Sequence, residues 1–572
     1  MANPTIALYD TTLRDGAQQE GLSLSVRDKL VIAKHLDRLG VPFIEGGWPG
    51  ANPKDVQFFW QLKEEPLERA EVVAFCSTRR PHRPAADEPM FQPILAAGTQ
   101  YVTLFGKSWD LHVTASLRTT LAENLEMIRD SVAYLRSQHR QTIYDAEHWF
   151  DAYRQNPDYA LETLKAATDG GAEWLVLCDT NGGTLPHDIH RITAAVAREL
   201  HQLGQARLGI HTHNDSDTAV ANAIAAVQAG AEMVQGTVNG YGERCGNANL
   251  CSLIPNLQLK LGYACIPSEN LKALTETSRA VSEIANQAPS DRAPFVGLSA
   301  FAHKGGIHVS AVQKNPVTYE HVPPEAVGNS RRIVISEQAG LSNVLAKVER
   351  FGISLDKSDP VARDILKHLK QLEHEGYQFE GAEASFELLV RTWLGQRPQF
   401  FCLIDFHVHS STQASPAVCQ IDLSRSHTEP SATINSVATV KLAVGDREHI
   451  TAAEGNGPVA ALDGALRKVL VEAYPDIDDF QLADYKVRIL DGKAGTAART
   501  RVSIEFSHSS GGLPATGERR WTTVGVSGNI IEASYLALAE GLEYGLLKTM
   551  APLSDPSKSN SVGLSTRFPS KP

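Results

Sequence analysis

One spacing constrains this chain more than any other feature. Asp15 stands in Leu13-Arg14-Asp15-Gly16, at the end of the first strand-like run. His211 and His213 stand in His-Thr-His-Asn-Asp (211–215), at the end of another, and Asn247 follows in Gly242-Glu243-Arg244-Cys245-Gly246-Asn247. Histidines at i and i+2 on a strand point to the same face, so His211 and His213 can hold one ion together. Asp15 and Asn247 complete the set only if the first, seventh and eighth strands are neighbours. A closed eight-stranded parallel barrel makes the first and eighth strands adjacent. An open doubly wound sheet does not bring them together.

The rest of the N-terminal half agrees with a barrel. Eight short β-rich runs alternate with helical stretches: Ile6–Leu13, Phe43–Gly47, Val72–Ser77, Tyr101–Gly106, Thr142–Glu147, Trp174–Asp179, Arg207–His213 and Met233–Asn239. They are nearly continuous in apolar residues, as parallel strands covered on both faces should be. Ser25-Val-Arg-Asp28 reads as a capping box, and Gly40 with Pro42 ends that helix. Asn52-Pro53 and Asn156-Pro157 each place a cap before a first-turn proline. Gly170-Gly171, Gly204 and Gly230 fall where a helix hands over to a strand. The expected fold is α/β: a TIM (β/α)8 barrel, then helical linker subdomains, then an α+β C-terminal domain with a ββα-type internal duplication.

At 572 residues the chain exceeds one domain. The expected division is a barrel over 1–270, linker helices over 271–398, a C-terminal domain over 399–550 and a disordered Ser/Pro/Lys-rich tail over 551–572. Residues 360–394 read as two helices joined near Gly376. After Gln399 strands alternate. Phe400–His409 and Ser436–Val444 are followed by a Gly445-Asp446 hairpin turn and Glu448–Ala452, and Gly455-Asn456-Gly457-Pro458 opens a helix. A second unit has strands near 485–490, 500–508 and 519–526, with Ser527-Gly528-Asn529 opening its helix. Ala453–Leu466 aligns with Gly525–Leu538 without a gap.

The formal charge of 54 − 66 = −12 gives no electrostatic reason to bind nucleic acid or an anionic membrane. No apolar run approaches the roughly 18–20 residues of a spanning helix, and the N-terminus lacks the pattern of a signal peptide. The cysteines (76, 178, 245, 251, 265, 402, 419) are scattered without a Cys-x-x-Cys pair, which reads as reduced thiols in a cytoplasmic protein.

Active sites of such barrels lie at the carboxyl ends of the strands. Polar residues cluster there: Arg14, Asp15 and Gln18; Glu45; Glu147; Asp179, Thr180 and Asn181; His211 and His213; Glu243 and Asn247. Two imidazoles, one carboxylate and an amide oxygen suit Zn²⁺, Mn²⁺, Co²⁺ or a tolerant Mg²⁺ site. An ion with open positions can chelate a 2-oxo acid and polarise its keto carbon, with Arg14 stabilising the alkoxide. Plainer readings stand beside these: Asp15 as a turn residue before Gly16, Glu45 as a buried structural partner, and 236–246 as a loop that needs positive φ.

Four motifs carry a resemblance: Asp-Thr-Thr-Leu-Arg-Asp-Gly (10–16), His-Thr-His-Asn-Asp (211–215), Gly-Glu-Arg-Cys-Gly-Asn-Ala-Asn (242–249) and His-Lys-Gly-Gly-Ile-His (303–308). Over roughly residues 3–550 the chain resembles the 2-isopropylmalate synthase, homocitrate synthase and citramalate synthase family. Glu45-Gly-Gly-Trp-Pro-Gly-Ala-Asn-Pro-Lys54 and Phe105-Gly-Lys-Ser-Trp-Asp-Leu-His112 resemble its citramalate branch more than its isopropylmalate branch.

The resemblance implies a Claisen condensation of acetyl-CoA with pyruvate, then thioester hydrolysis to (R)-citramalate and CoA. It implies a divalent metal on Asp15, His211, His213 and Asn247, catalytic roles for Arg14 and Glu147, and substrate contacts from Arg14, Gln18 and Thr180. His308 and Tyr319 match linker residues that serve the acetyl half-reaction, in relatives from the partner subunit. Val309-Ser310 stand where isopropylmalate members carry Gln-Asp. A homodimer is implied, and so is feedback through the C-terminal domain. Isoleucine is the first choice of effector and leucine the second, at the helix starts marked by Gly455, Gly457, Gly528 and Asn529. The rivals are the same chemistry on 2-oxoisovalerate or 2-oxoglutarate, a lyase running in reverse, and a non-catalytic amino-acid sensor. The long C-terminal region argues against the lyase, and the intact ligand set argues against the sensor.

Overall fold

The computed structural model describes residues 4–203, 206–336, 339–412, 434–509, 511–513 and 519–549. Eight parallel strands close into a barrel in sequence order: β1 (Ala7–Asp10), β2 (Phe43–Gly47), β3 (Glu71–Ser77), β4 (Tyr101–Lys107), β5 (Gln141–Glu147), β6 (Trp174–Asp179), β7 (Arg207–Thr212) and β8 (Met233–Gly236). β1 lies between β2 and β8, with Tyr9 opposite both Phe43 and Gln235. The first and last strands stop earlier than expected, at Asp10 and Gly236. Beyond them the two chains bond as loops: Thr11 N–H donates to Gly236 O (2.9 Å) and Val238 N–H to Thr12 Oγ1 (2.9 Å).

Period-two alternation sorts each strand into an outer and an inner series. The inner floor is apolar, with Tyr9, Val73, Ile143, Trp174, Val176 and Met233 in one buried cluster. Two residues further along the same inward series come Glu45, Phe75, Thr103, Asp145, His211 and Gln235. The barrel is therefore dry below and polar towards its carboxyl end.

The helix signals act where they stand. Ser25 and Asp28 close a capping box on Val26–Leu39, and Gly40 ends it in the left-handed region at φ +92°. Asn52 and Asn156 cap the helices that begin at Pro53 and Pro157. Gly204 lies outside the described residues. The six described cysteines are free thiols, and Cys419 lies outside the described residues. No described helix is long and apolar enough to cross a membrane.

The chain forms two compact units: Met1–Ala302 with Pro316–Arg332, and His303–Asn315 with residues from Ile333 onward. The segment 271–398, expected as helical linker subdomains, has residues in both units. Leu274 and Val281 belong to the barrel's core. The helices Leu341–Arg350, Pro360–His374 and Glu383–Trp393 share a core (Val344, Ile365, Leu369, Phe386) with Val524 of a C-terminal strand. The turn near Gly376 has φ +108° there. The expected tail, 551–572, lies outside the described residues.

The duplication is present, with one strand more per repeat than a ββα unit. The first repeat has antiparallel strands Cys402–Thr412, Ile434–Val444 and Arg447–Gly455, then helix Pro458–Ala473. The second has Phe480–Ile489, Thr500–His508 and Arg520–Ser527, then helix Ile530–Thr549. The gap-free alignment (525 − 453 = 72) carries strand end Gly455 to Ser527 and helix start Pro458 to Ile530. Gly445 turns the first hairpin at φ +57°.

A stability test follows from the second repeat. A Cβ on Gly541 would lie 1.9 Å from the ring of Phe506, and that ring stacks on Trp521 at 5.7 Å. Gly→Ala in a helix gains up to about 1 kcal/mol of propensity, but overpacking a filled core costs about 1–3 kcal/mol. The overlap is severe, so overpacking wins. Gly541→Ala is expected to lower the urea midpoint of the second unit; an unchanged or higher midpoint would count against this packing.

Candidate metal centre at the barrel mouth

The residues the sequence singled out as candidate ligands come together where three chain regions meet. His211 ends the inward series of β7, His213 follows one step above it, and Asp15 lies on the loop after β1. His211 Nε2 is 3.3 Å from Asp15 Oδ2 and 3.2 Å from His213 Nε2, and His213 Nε2 is 3.9 Å from the same carboxylate oxygen. One donor atom from each residue lies within 4.8 Å of the others, and all three residues are buried. An isolated bridge pairs His213 with Asn247. Asn247 Nδ2 donates to Tyr241 O (3.1 Å), while its Oδ1 is buried and receives no hydrogen bond from the described residues. A buried, unsatisfied amide oxygen beside a carboxylate and two imidazoles fits a divalent cation.

The loop that presents Asn247 needs its glycines. Gly242 (φ +154°) would place a Cβ 2.2 Å from Asn247 Nδ2, and Gly246 (φ +90°) one 2.0 Å from Gly240 O. The glycine cluster thus serves backbone geometry, the plain reading given for 236–246 from the sequence.

Burial alone would raise the Asp15 carboxyl, but Arg14 and the two histidines overcome it and hold Asp15 well below the usual carboxylate range. Burial also lowers both imidazoles. Asp15 more than offsets this for His211, whose pKa is raised, whereas His213, beside His211, falls to about 3. At neutral pH the cluster offers an anionic carboxylate and an unprotonated imidazole on His213.

Arg14 is fixed beside this centre. Its Nε donates to Glu45 Oε2 (2.6 Å), its Nη1 lies 3.7 Å from Asp15 Oδ1, and its guanidinium stacks 3.8 Å over the Phe75 ring. Glu45 also accepts from Tyr9 OH (2.6 Å) and Thr11 Oγ1 (2.5 Å), so it is the structural partner the sequence suggested. Phe75 stacks on Phe105 at 5.3 Å, and Trp48 meets both rings edge-on at 5.9 and 5.7 Å. Trp48 is held because Asp55, ion-paired with buried Lys29, accepts its N–H at 2.8 Å.

Other candidates fall into several places. Glu147 ends β5 in register with Lys107 of β4 and pairs with it. Thr180 Oγ1 accepts from the N–H of His148 (2.9 Å), a residue in the left-handed region at φ +54°. Gln18 is exposed on the turn Gly16–Gln18. His308 sits on helix Gly306–Lys314 in the second unit, and Tyr319 belongs to the first. Gly455 allows its strand end to meet the following helix, since a Cβ would lie 2.5 Å from Ala461 N. Asn529 is a helix cap, its Oδ1 accepting from Ile531 N–H (2.8 Å). Gly457 and Gly528 have open space where a Cβ would be.

The chain matches three family models in order: HMGL-like over residues 5–281, homocitrate synthase post-HMGL domain-like over 295–376, and LeuA allosteric (dimerisation) domain over 380–546. It is 65% identical over 543 residues to an (R)-citramalate synthase of Synechocystis, covering 94% of this chain and 96% of the relative. The chain belongs to the family of the (R)-citramalate synthases. A member from Aquifex aeolicus is 51% identical, covering 95% of this chain and 98% of the relative. A probable 2-isopropylmalate synthase of Methanopyrus kandleri is 32% identical, covering 94% and 97%.

Sequence reasoning passed over Lys107, Asp145 and Gln235, and treated Phe75 and Phe105 only as strand and motif residues. One signal could have found them. Each stands two residues along the inward series from a barrel-floor or mouth residue, as in Ile143-x-Asp145-x-Glu147 and Met233-x-Gln235.

Proposed function

We propose that this chain condenses acetyl-CoA with pyruvate, as an (R)-citramalate synthase does. The observation that carries this reading is the cluster of Asp15, His211 and His213 under a fixed Arg14. Asp15, His211, His213 and Asn247 would hold a divalent ion (zinc, manganese, cobalt or magnesium), which would supply Lewis-acid polarisation of the keto group of a 2-oxo acid. Arg14 faces that centre and stabilises the charge that develops on the keto oxygen. Loss of a methyl proton from acetyl-CoA makes the carbon nucleophile, a carbon–carbon bond forms to the keto carbon, and its oxygen takes up a proton. Water then cleaves the thioester, releasing CoA. Glu147, held by Lys107, is the mouth carboxylate assigned to proton handling, and Thr180, with Gln18, is assigned to substrate binding. His308 and Tyr319 are assigned to the acetyl half-reaction on the resemblance alone.

Acceptor size is assigned to the aromatic wall. Phe75, Phe105 and Trp48 beside Arg14 are proposed to select an acceptor with a methyl group over one with an isopropyl group. Forcing in the larger group costs about 1–3 kcal/mol, roughly ten- to a hundredfold in kcat/KM. A steady-state assay of CoA release should rank pyruvate first, then 2-oxobutyrate, with 2-oxoisovalerate and 2-oxoglutarate far behind. If 2-oxoisovalerate matches pyruvate, the chain acts as an isopropylmalate synthase.

Regulation is proposed to lie in the duplicated C-terminal repeats, with isoleucine as effector and the chain as a homodimer. The match to an allosteric (dimerisation) domain over 380–546 supports this. Asn529 and Ser527 already satisfy part of their helix start, so Gly457 and Gly528 are the better candidates for backbone contact with a carboxylate. Calorimetry on the whole chain should show heat from isoleucine and inhibition at millimolar levels. No heat and no inhibition from isoleucine or leucine would leave these repeats a dimerisation module only.

A further inference from the structure

His211 is not held like its neighbour. Its Nδ1 lies 2.9 Å from Gln235 Oε1, and Gln235 Nε2 donates to Asp145 Oδ1 at 3.0 Å. Gln235 is fully buried and Asp145 nearly so. His213 Nδ1, by contrast, is buried without a hydrogen-bond partner among the described residues. Three strands supply the chain of bonds: β7 gives His211, β8 gives Gln235 and β5 gives Asp145. The direction of each bond is set by chemistry. An ionised carboxylate can only accept, and the amide nitrogen of Gln235 faces Asp145. Its oxygen then faces His211, and an oxygen can only accept. His211 Nδ1 therefore carries a proton, and Nε2, which faces Asp15 and His213, is the nitrogen left for a metal ion once its own proton is lost.

We propose that Gln235 and Asp145 are positioning residues that lock His211 in its Nδ1–H tautomer and aim Nε2 at the metal. Asp145 acts only through Gln235: without it the amide is free to flip and present N–H to His211. Outer partners of this kind typically govern metal affinity by about 10–100-fold. Burial pushes the Asp145 carboxyl up to about 7, and in either protonation state its Oδ1 can accept the amide N–H. The idea rests on the metal reading above.

The test is Mn²⁺ binding by calorimetry to the metal-stripped full-length protein. Gln235→Leu and Asp145→Leu should each weaken binding by about 10–100-fold. Asp145→Asn keeps an oxygen acceptor and should stay within about threefold of the parent. The double variant Asp145→Leu/Gln235→Leu should bind no worse than Gln235→Leu alone, because the two act in series. If Gln235→Leu does not fold, the contrast between Asp145→Leu and Asp145→Asn carries the comparison. Asp15→Asn separates the two ideas. If the parent binds Mn²⁺, Asp15→Asn does not, and Gln235→Leu binds like the parent, the metal site stands and the relay is overturned. Losses that multiply in the double variant overturn it too. If the parent fails to bind, or Asp15→Asn leaves binding intact, the metal reading falls and the relay falls with it.

Discussion

Asp15→Asn and His213→Ala are each expected to lose bound metal and nearly all turnover while the barrel stays folded. Asp15 is the one carboxylate within the buried cluster of three. Asparagine keeps its shape but removes the negative charge that offsets a divalent ion in a site with little water. His213→Ala removes a nitrogen 3.2 Å from its neighbour's. Ligand loss of either kind should cut turnover by at least about a hundredfold. Folding should survive, because Arg14 keeps Glu45 as its partner and the apolar floor below is untouched. Metal content after gel filtration, CoA release and circular dichroism read the three parts separately. Full activity in an Asp15→Asn protein shown to be metal-free would sink the assignment.

The second large effect belongs to Arg14. Arg14→Lys is expected to lower kcat by about 10²–10³-fold with metal content unchanged. Lysine keeps the charge but not the planar fork, and Arg14 uses that fork twice. Nε binds Glu45 while the guanidinium lies over Phe75 and turns Nη1 toward Asp15. An ammonium group can satisfy Glu45 or face the site, not both in the same geometry. Arg14→Ala is the poorer experiment. It strands a buried carboxylate, which typically costs about 3–5 kcal/mol, so lost activity and lost fold would be mixed. A kcat within threefold of the parent in Arg14→Lys would mean that another group stabilises the oxyanion.

Much of the site was legible because it depends on short-range periodicity. His211 and His213 are two apart on a strand, so their shared face follows from the pleat alone. Asp15 and Asn247 joined them once barrel closure was assumed, and closure itself followed from eight runs with intervening caps. The aromatic wall was visible only as motif residues. That Phe75 and Phe105 stack, and that Trp48 meets both edge-on, depends on the pairing of β3 with β4, which sets Phe105 two residues beyond Thr103, the partner of Phe75. The helix starts at 455–457 and 527–529 look alike in sequence. Side-chain geometry separates them, since Asn529 caps its own helix and Gly455 makes way for another.

The sequence by itself determined the eight-fold alternation, the shared face of His211 and His213, the capping of the helices and the internal repeat, since each is a pattern within a few residues or at a constant offset. Tertiary structure alone decided the rest. It ended β1 and β8 early so that their loops could bond each other, and it placed residues of the expected linker subdomains in both compact units. It also joined Glu45, Arg14 and Tyr9, and separately His211, Gln235 and Asp145, from strands far apart in the chain. The physical reason is common to all of these. A buried polar atom must find its partner wherever the fold places one, and that partner is chosen by closure of the barrel, not by proximity along the chain.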